Sequence, residues 1–326
     1  MAPSTVTLAS GYEMPLVGFG LWKVGRETTA ETVYNAIKVG YRLFDGAYDY
    51  QNEKEAGEGI RKAIADGLVK REDLFITTKL WNNYHKRENV LKMAQLQKET
   101  WGLDYFDLYL IHFPVSLKYI EPEVRQFPCW WMDDQGTIET EKVPMQETWQ
   151  AMEEVVDAGI ARSIGVSNFS GQLIYDVLNY ARLPISVLQI EHHPFLVQPN
   201  LVALAQENKI AVTAYSSFGP QSFMELGDLF AKKMKGLTPP LQNEVVAEIA
   251  KAHGKTPAQV LLRWSTQRGI AVIPKSNNAE RQAQNLDVTS FDLTKEEIDK
   301  ISDLDIGLRF NDPGYYLTSN PLRIFA

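Results

Sequence analysis

Short apolar runs and amphipathic stretches alternate along the chain. Residues 5–8 and 14–17 alternate in polarity around Ala9-Ser10-Gly11-Tyr12, which predicts a hairpin. Strand-like apolar runs then begin near residues 17, 41, 74, 106, 161, 185, 210 and 269. Between them apolar residues recur at helical spacing over 28–39, 52–65, 87–101, 145–158, 170–180, 200–208, 242–253, 256–267 and 279–285. Most intervals suit one strand and one helix. Two longer ones place insertions near 113–145 and 217–240. Eight strands alternating with helices predict an α/β fold: a closed parallel (β/α)8 TIM barrel behind an N-terminal hairpin, decorated by two extra helices. No linker or low-complexity segment divides the chain, so one domain over 1–326 is expected.

Composition narrows the partners. At 326 residues and 44% hydrophobic, the chain can bury a substantial core. A net charge of −8 with no Lys/Arg run makes nucleic acid and anionic membranes poor partners. The single cysteine, Cys129, excludes a disulfide within the chain and suits a reducing compartment. The first residues, Met1-Ala2-Pro3-Ser4-Thr5, lack the basic and apolar regions of a signal peptide, and no apolar run is long enough to span a bilayer. A cytoplasmic location is therefore expected. Asn168-Phe169-Ser170 matches a glycosylation sequon, which in this setting reads as chance.

The chemistry gathers where strands end. The stretch Gly40-Tyr41-Arg42-Leu43-Phe44-Asp45 is a strand that stops on an acid; Tyr50 lies in the turn after it, before the helix opening at Asn52-Glu53. The next two strands place Lys79 and His112 at their ends. In a barrel those ends share one face, so Asp45, Tyr50, Lys79 and His112 can meet at one mouth. A phenol is a poor acid near neutrality, but a lysine beside it favours the phenolate and lowers its pKa. A buried lysine needs a counter-ion, which Asp45 can supply. His112 can orient and polarise a carbonyl oxygen. Any one of these residues alone would read as an ordinary strand-end or capping residue; the set looks built to give a proton to an oxygen while something else gives a hydride. Lys275-Ser276-Asn277-Asn278 and Arg281, at the start of a helix after the eighth strand, form an anion site suited to a single phosphate.

Two tempting motifs fail. Gly18-x-Gly20 carries Lys23 where a dinucleotide fingerprint needs glycine. Glu191-His192-His193 puts adjacent histidines on opposite faces of a strand, so they cannot easily share an ion, and no metal is expected.

Taken together, the stretch from Gly40 to Gly57 (with Arg42, Asp45, Ala47 and Glu53), the four catalytic candidates, Gly165-Val166-Ser167-Asn168-Phe169 and Ile273-Pro274-Lys275-Ser276 resemble the aldo-keto reductase superfamily. Within it, Leu43 to Ala47, Ile273 to Asn277 and Gly307-Leu308-Arg309-Phe310-Asn311-Asp312-Pro313 resemble the fungal D-xylose reductases. The resemblance implies reduction of open-chain aldoses, chiefly D-xylose to xylitol, with NADPH preferred and NADH usable. It implies Tyr50 as general acid tuned by Lys79 and Asp45, with His112 placing the carbonyl. Ser167, Asn168 and Gln189 would bind the nicotinamide carboxamide, Tyr215 would stack under the ring, and Ser216 and Phe218 would adjoin it. Lys275, Ser276, Asn277 and Arg281 would hold the 2′-phosphate end. Gln221, Glu225 and Asn285 would hold the rest of the dinucleotide, with Glu225 and Asn277 able to shift onto the free hydroxyls of NADH. Trp22, Asp49 and Asn311 match sugar contacts, under a C-terminal tail that forms one wall of the pocket. That tail reads Gly314-Tyr315-Tyr316, a departure from yeast enzymes with a Trp-containing stretch there. Such reductases are often homodimers, so a homodimer is an expectation too. The alternatives are an aldo-keto reductase of other aldehydes or ketones, and a cofactor-binding regulatory protein on the same fold.

Overall fold

A computed structural model describes residues 4–325. The hairpin forms as β1 (Thr5–Thr7) and β2 (Glu13–Pro15), with Val6 opposite Met14. The barrel strands are β3 (Gly18–Gly20), β4 (Leu43–Asp45), β5 (Phe75–Leu80), β6 (Phe106–Ile111), β7 (Ala161–Ser167), β8 (Val187–Glu191), β9 (Ala211–Tyr215) and β10 (Ile270–Val272). They pair in parallel in sequence order from β3 to β10. The two edges meet where Val17 bridges Val272, and Gly20 N donates to Pro274 O at 3.3 Å. Outside the strands lie α1 (Arg26–Val39), α2 (Glu53–Ala65), α3 (Arg87–Trp101), α4 (Met145–Asp157), α5 (Gly171–Leu178) and α6 (Pro199–Glu207). The β9–β10 connection carries α7 (Gln221–Met224), α8 (Asp228–Lys233), α9 (Glu244–His253) and α10 (Pro257–Thr266). After β10 come α11 (Ala279–Leu286), α12 (Lys295–Ser302) and α13 (Pro313–Tyr316).

Strand alternation gives the barrel two layers. Phe44, Ile76, Tyr109, Ile111, Val166, Leu188, Ile190 and Val212 face outward into one core shared with the helices. The inward rows begin apolar at the base and turn polar toward the mouth: Leu43 then Asp45; Phe75, Thr77, Lys79; Leu108, Leu110, His112; Val187, Gln189, Glu191. The apolar lower half packs on Leu8, Met14 and Leu16, so the hairpin seals the base. Ser10 and Ser163 share a hydroxyl hydrogen bond of 2.7 Å there.

The barrel carries extra helices, as expected, and more of them: beside α9, whose pattern the sequence shows, α7, α8, α12 and α13 arise where no periodicity announced them. Three of these have six residues or fewer, too short for a 3.6-residue repeat to register. The 113–145 insertion forms no helix; Leu117 bridges Thr140, and Lys118 N donates to Glu139 O at 2.9 Å.

Gly57 lets α2 lie against the end of α3. A Cβ there would sit 2.0 Å from the Trp101 carbonyl oxygen, a backbone atom with no room to yield. Gly57→Ala is expected to cost about 1–3 kcal/mol, read as a lowered thermal midpoint; an unchanged midpoint would refute that packing.

Candidate active site

A cavity of about 880 Å³ opens at the C-terminal mouth of the barrel. Of the residues expected to act as catalyst or to hold cofactor or sugar, Lys79 alone does not line it. Lys79 is fully buried behind Tyr50, with its ammonium bonded to Asp45 Oδ1 at 2.6 Å, Gly46 O at 2.8 Å and Tyr50 OH at 3.2 Å. The inward row of β5 aims Lys79 at β4, whose last residue is Asp45. A 3-10 turn over Tyr48–Tyr50, closed by Gln51 in the left-handed region, carries Tyr50 back over the mouth. Asn52 fixes that turn to the β3–α1 loop, its Nδ2 donating to Leu21 O at 2.9 Å and Val24 O at 3.0 Å. The His112 ring stands 5.8 Å from the Tyr50 ring, edge-on, and packs between Trp81 and Phe113.

Electrostatics sets the protonation of each group. Burial pushes the Tyr50 phenol well above its ordinary value, aided by the charges of Asp45 and Asp49. The sequence led to the expectation of a lowered value; burial and the neighbouring carboxylates raise it instead, and the phenol stays protonated. Burial also lowers Lys79, against the pull of Asp45. Burial and then the Lys79 charge push His112 far down, leaving a neutral imidazole. The site therefore presents a protonated phenol and an uncharged ring to the same space, with a lysine hydrogen-bonded behind the phenol.

A hydrogen-bonded chain surrounds this group. Gln189 Nε2 donates to Asp45 Oδ2 at 2.7 Å, giving Asp45 a second fixed partner. Asn168, in the left-handed region, donates to His112 O at 2.9 Å and to Ser167 Oγ at 3.2 Å. Tyr215 OH donates to Asn168 Oδ1 at 2.6 Å and accepts from Asn311 Nδ2 at 3.0 Å; Tyr316 OH donates to Asn311 Oδ1 at 3.2 Å. Asp49 lines the pocket with Trp22 and Asn311, and burial raises its carboxyl to about 6 against a hydrogen bond from the Cys129 thiol. Trp130 forms part of the wall, and Trp81 Nε1 donates to Cys129 O at 2.6 Å; the neighbouring Phe127 packs on Tyr48 instead, and Trp131 is exposed.

On the far side of the residue set, Lys275, Asn277 and Arg281 are exposed at the N-terminus of α11. Asn278 Oδ1 caps the helix by accepting from Arg281 N at 2.9 Å, and Ser276 Oγ accepts from Asn278 N at 3.1 Å. Asn285 lines the cavity from the same helix. Ser216, Phe218, Gln221 and Glu225 reach it from the segment after β9. That segment is strapped to the opposite wall, because Lys23 Nζ donates to Ser222 O at 2.6 Å and Glu225 Oε2 at 2.6 Å. Sequence reasoning saw Lys23 only as the position that spoiled a glycine motif; its partners lie far away in the chain, so nothing local marked it. Glu191, His192 and His193 diverge as strand alternation predicts. His192 stacks on Trp264 at 4.9 Å and accepts from Arg268 Nη2 at 2.5 Å, whereas His193 bonds to Glu191.

Comparison with known proteins places this geometry. The model of the aldo/keto reductase family matches residues 16–306. The chain is 61% identical over 325 residues to a probable NAD(P)H-dependent D-xylose reductase of Emericella nidulans, covering 100% of both chains. It is 56% identical over 327 residues to the NAD(P)H-dependent D-xylose reductase of Hypocrea jecorina, again covering 100% of both. Among solved structures, Bombyx mori aldo-keto reductase in complex with NADP superposes with a TM-score of 0.82 at 37% identity, covering 95% of this chain and 94% of that one. The aldose reductase of Schistosoma japonicum gives a TM-score of 0.85 at 35% identity, covering 98% and 97%.

The buried pair yields its own prediction. Asp45→Asn leaves Lys79 without a counter-ion and is expected to cost on the order of 3–5 kcal/mol. Thermal or denaturant unfolding checks this, and a variant as stable as the parent would mean the pair carries no structural weight.

Proposed function

The chain belongs to the aldo/keto reductase family, and from that premise we propose that it reduces the aldehyde of open-chain aldoses, chiefly D-xylose to xylitol, with NADPH preferred and NADH usable. One observation carries the reading: Tyr50, Lys79 and Asp45 are joined by hydrogen bonds at a mouth that His112 also faces. The residues present fit a nicotinamide dinucleotide phosphate. Lys275, Ser276, Asn277 and Arg281 bring cations and a hydroxyl to a helix N-terminus, the donor chemistry a 2′-phosphate needs. Ser167, Asn168 and Gln189 offer the hydroxyl and amides that a carboxamide needs, with Tyr215, Ser216 and Phe218 beside them. Gln221, Glu225 and Asn285 line the stretch between, and the Lys23–Glu225 strap crosses it. When bound, such a dinucleotide supplies the hydride.

The chain's own residues do the rest. His112, neutral, donates a hydrogen bond to the aldose carbonyl oxygen and fixes its direction. Tyr50 gives its phenolic proton to that oxygen as negative charge builds there. Lys79, 3.2 Å from the phenol oxygen, stabilises the phenolate left behind. Asp45 holds the lysine, and Gln189 holds Asp45. Asp49, ionised above about pH 6, accepts hydrogen bonds from sugar hydroxyls, while Trp22 and Asn311 complete the grip.

The same reading takes the chain as one domain acting in the cytoplasm on a small sugar. The net charge of −8 argues against nucleic acid as a partner, and one cysteine fits a reducing compartment. No helix among the described residues is long and apolar enough to cross a membrane. A homodimer belongs to the proposal through the resemblance to reductases that pair.

Steady-state oxidation of NADPH with D-xylose tests the proposal directly. Tyr50→Phe should keep NADPH affinity and lose roughly 10²–10⁴ in kcat, the worth of a general acid; near-normal turnover would remove Tyr50 from that role. Lys275→Met should raise the KM for NADPH about tenfold, the loss of one charge-assisted contact, and leave that for NADH unchanged. An unaltered NADPH KM would detach Lys275 from the phosphate.

A further inference from the structure

The Glu191-His192-His193 motif lies apart from Tyr50, Lys79 and His112, and its first residue is completely buried at the top of β8. Strand alternation puts Glu191 on the inward row above Val187 and Gln189, level with Tyr215 on β9. A carboxylate with no access to water must be satisfied from within the protein. Glu191 Oε1 accepts from His193 Nε2 at 2.8 Å and from the backbone N–H of Phe310 at 2.8 Å; Oε2 accepts from the backbone N–H of Asn311 at 2.8 Å. Burial works against the ionised form, but the His193 bond, the His193 and Arg309 charges and the Phe310 N–H hold the carboxyl below its ordinary value.

Two of those donors belong to the C-terminal tail where it crosses the mouth. Neighbouring bonds fix the same crossing. Leu308 N donates to Phe195 O at 2.8 Å, Arg309 Nη2 donates to Gln198 Oε1 at 2.9 Å, and Lys233 Nζ donates to Arg309 O at 2.7 Å. Phe310 is fully buried in an aromatic cluster with Phe195, Phe223 and Phe230. The next side chain, Asn311, turns into the pocket and donates to Tyr215 OH at 3.0 Å. The position of Asn311 is thus set by a carboxylate that never touches the pocket, since Glu191 is absent from its lining.

We propose that Glu191 is a positioning residue for substrate selection: its buried carboxylate pins the Phe310–Asn311 backbone, and so holds the Asn311 amide where a hydroxylated substrate meets it. This rests on the aldose-reductase reading above. An aldehyde without hydroxyls needs Tyr50 and His112 but has nothing for Asn311 to grip. Discrimination between the two kinds of substrate is therefore the property that Glu191 controls.

The test compares kcat/KM for D-xylose and for butanal in the parent, Glu191→Gln, Asn311→Ala and the double variant, with NADPH binding read by fluorescence. Glu191→Gln turns one acceptor toward the tail into a donor. It is expected to lower kcat/KM for xylose roughly tenfold, mainly through KM, the cost of a misplaced hydrogen-bonding group. Butanal turnover and NADPH affinity should stay within about twofold. In the Asn311→Ala background the Glu191→Gln change should have no further effect on the xylose-to-butanal ratio, the mark of action through Asn311. Equal losses for both substrates, or additive effects in the double variant, would overturn the proposal. Where Glu191→Gln does not fold, Glu191→Asp keeps the charge on a shorter arm, and the same ratio should fall by a smaller factor; an unchanged ratio there overturns it equally. Hydrogen exchange at the Phe310 and Asn311 amides adds a readout that needs no turnover. Faster exchange at those two positions in the variant supports the pin, and parental protection sinks it. A parent protein that fails to reduce xylose would show instead as the failure of the aldose reading, with the exchange result standing by itself.

Discussion

An ammonium group with no access to solvent sits at the centre of this protein. The Lys79–Asp45 pair is dry on both sides, and neither charge is tolerable there without the other. Much of the surrounding architecture serves that pair. β4 and β5 must run parallel in the register that sets Leu43 beside Phe75, or the two side chains do not meet. The Tyr48–Tyr50 turn must double back to set a phenol against the ammonium. Gln189, from three strands farther round the barrel, must occupy the second carboxylate oxygen. A buried ion pair adds little net stability over an apolar pair, but breaking it is costly, so the elements that hold its two ends together are bound to one another through it.

The fold was legible in the sequence because its signals are local and repeated. Alternation every two residues and recurrence every 3.6 placed each barrel strand within a residue or two of where it begins, as at Phe106 and Ala161, and α3 at Arg87–Trp101 matches its pattern end to end. The catalytic candidates were legible for a related reason: each lies at the end of a strand or in the turn just after it, and topology brings strand ends together. What stayed hidden depends on partners distant in sequence. Lys23 meets Glu225 across 202 positions. Glu191 meets the backbone of Phe310 and Asn311 across 119 and 120, and a backbone N–H leaves no trace in the amino-acid code. The direction of the phenol's shift was misjudged because proximity to a cation can be inferred from topology, whereas the depth of burial cannot.

The inward rows divide labour along each strand. Lower positions such as Leu43, Phe75, Leu108 and Val187 belong to a sealed apolar plug, and upper positions such as Asp45, Lys79, His112 and Gln189 belong to the site. The hairpin makes that division workable. With the base closed by Leu8, Met14 and Leu16, the mouth is free to carry charges and amides that no apolar core would accept.

The two lysine–carboxylate pairs of the site differ most in their access to water, and so in their response to the medium. The Lys79–Asp45 pair lies beyond the reach of dissolved ions. The strap's clasp does not: the Glu225 side chain is 64% exposed and that of Lys23 23%. Counter-ions can compete at the clasp, where screening acts over about 10 Å at 0.1 M salt, but not at the buried pair. Added salt therefore loosens the contact between Lys23 and the segment after β9, and leaves the inner pair as it is. Two ion pairs of one cavity thus answer differently to the medium because only one of them touches water.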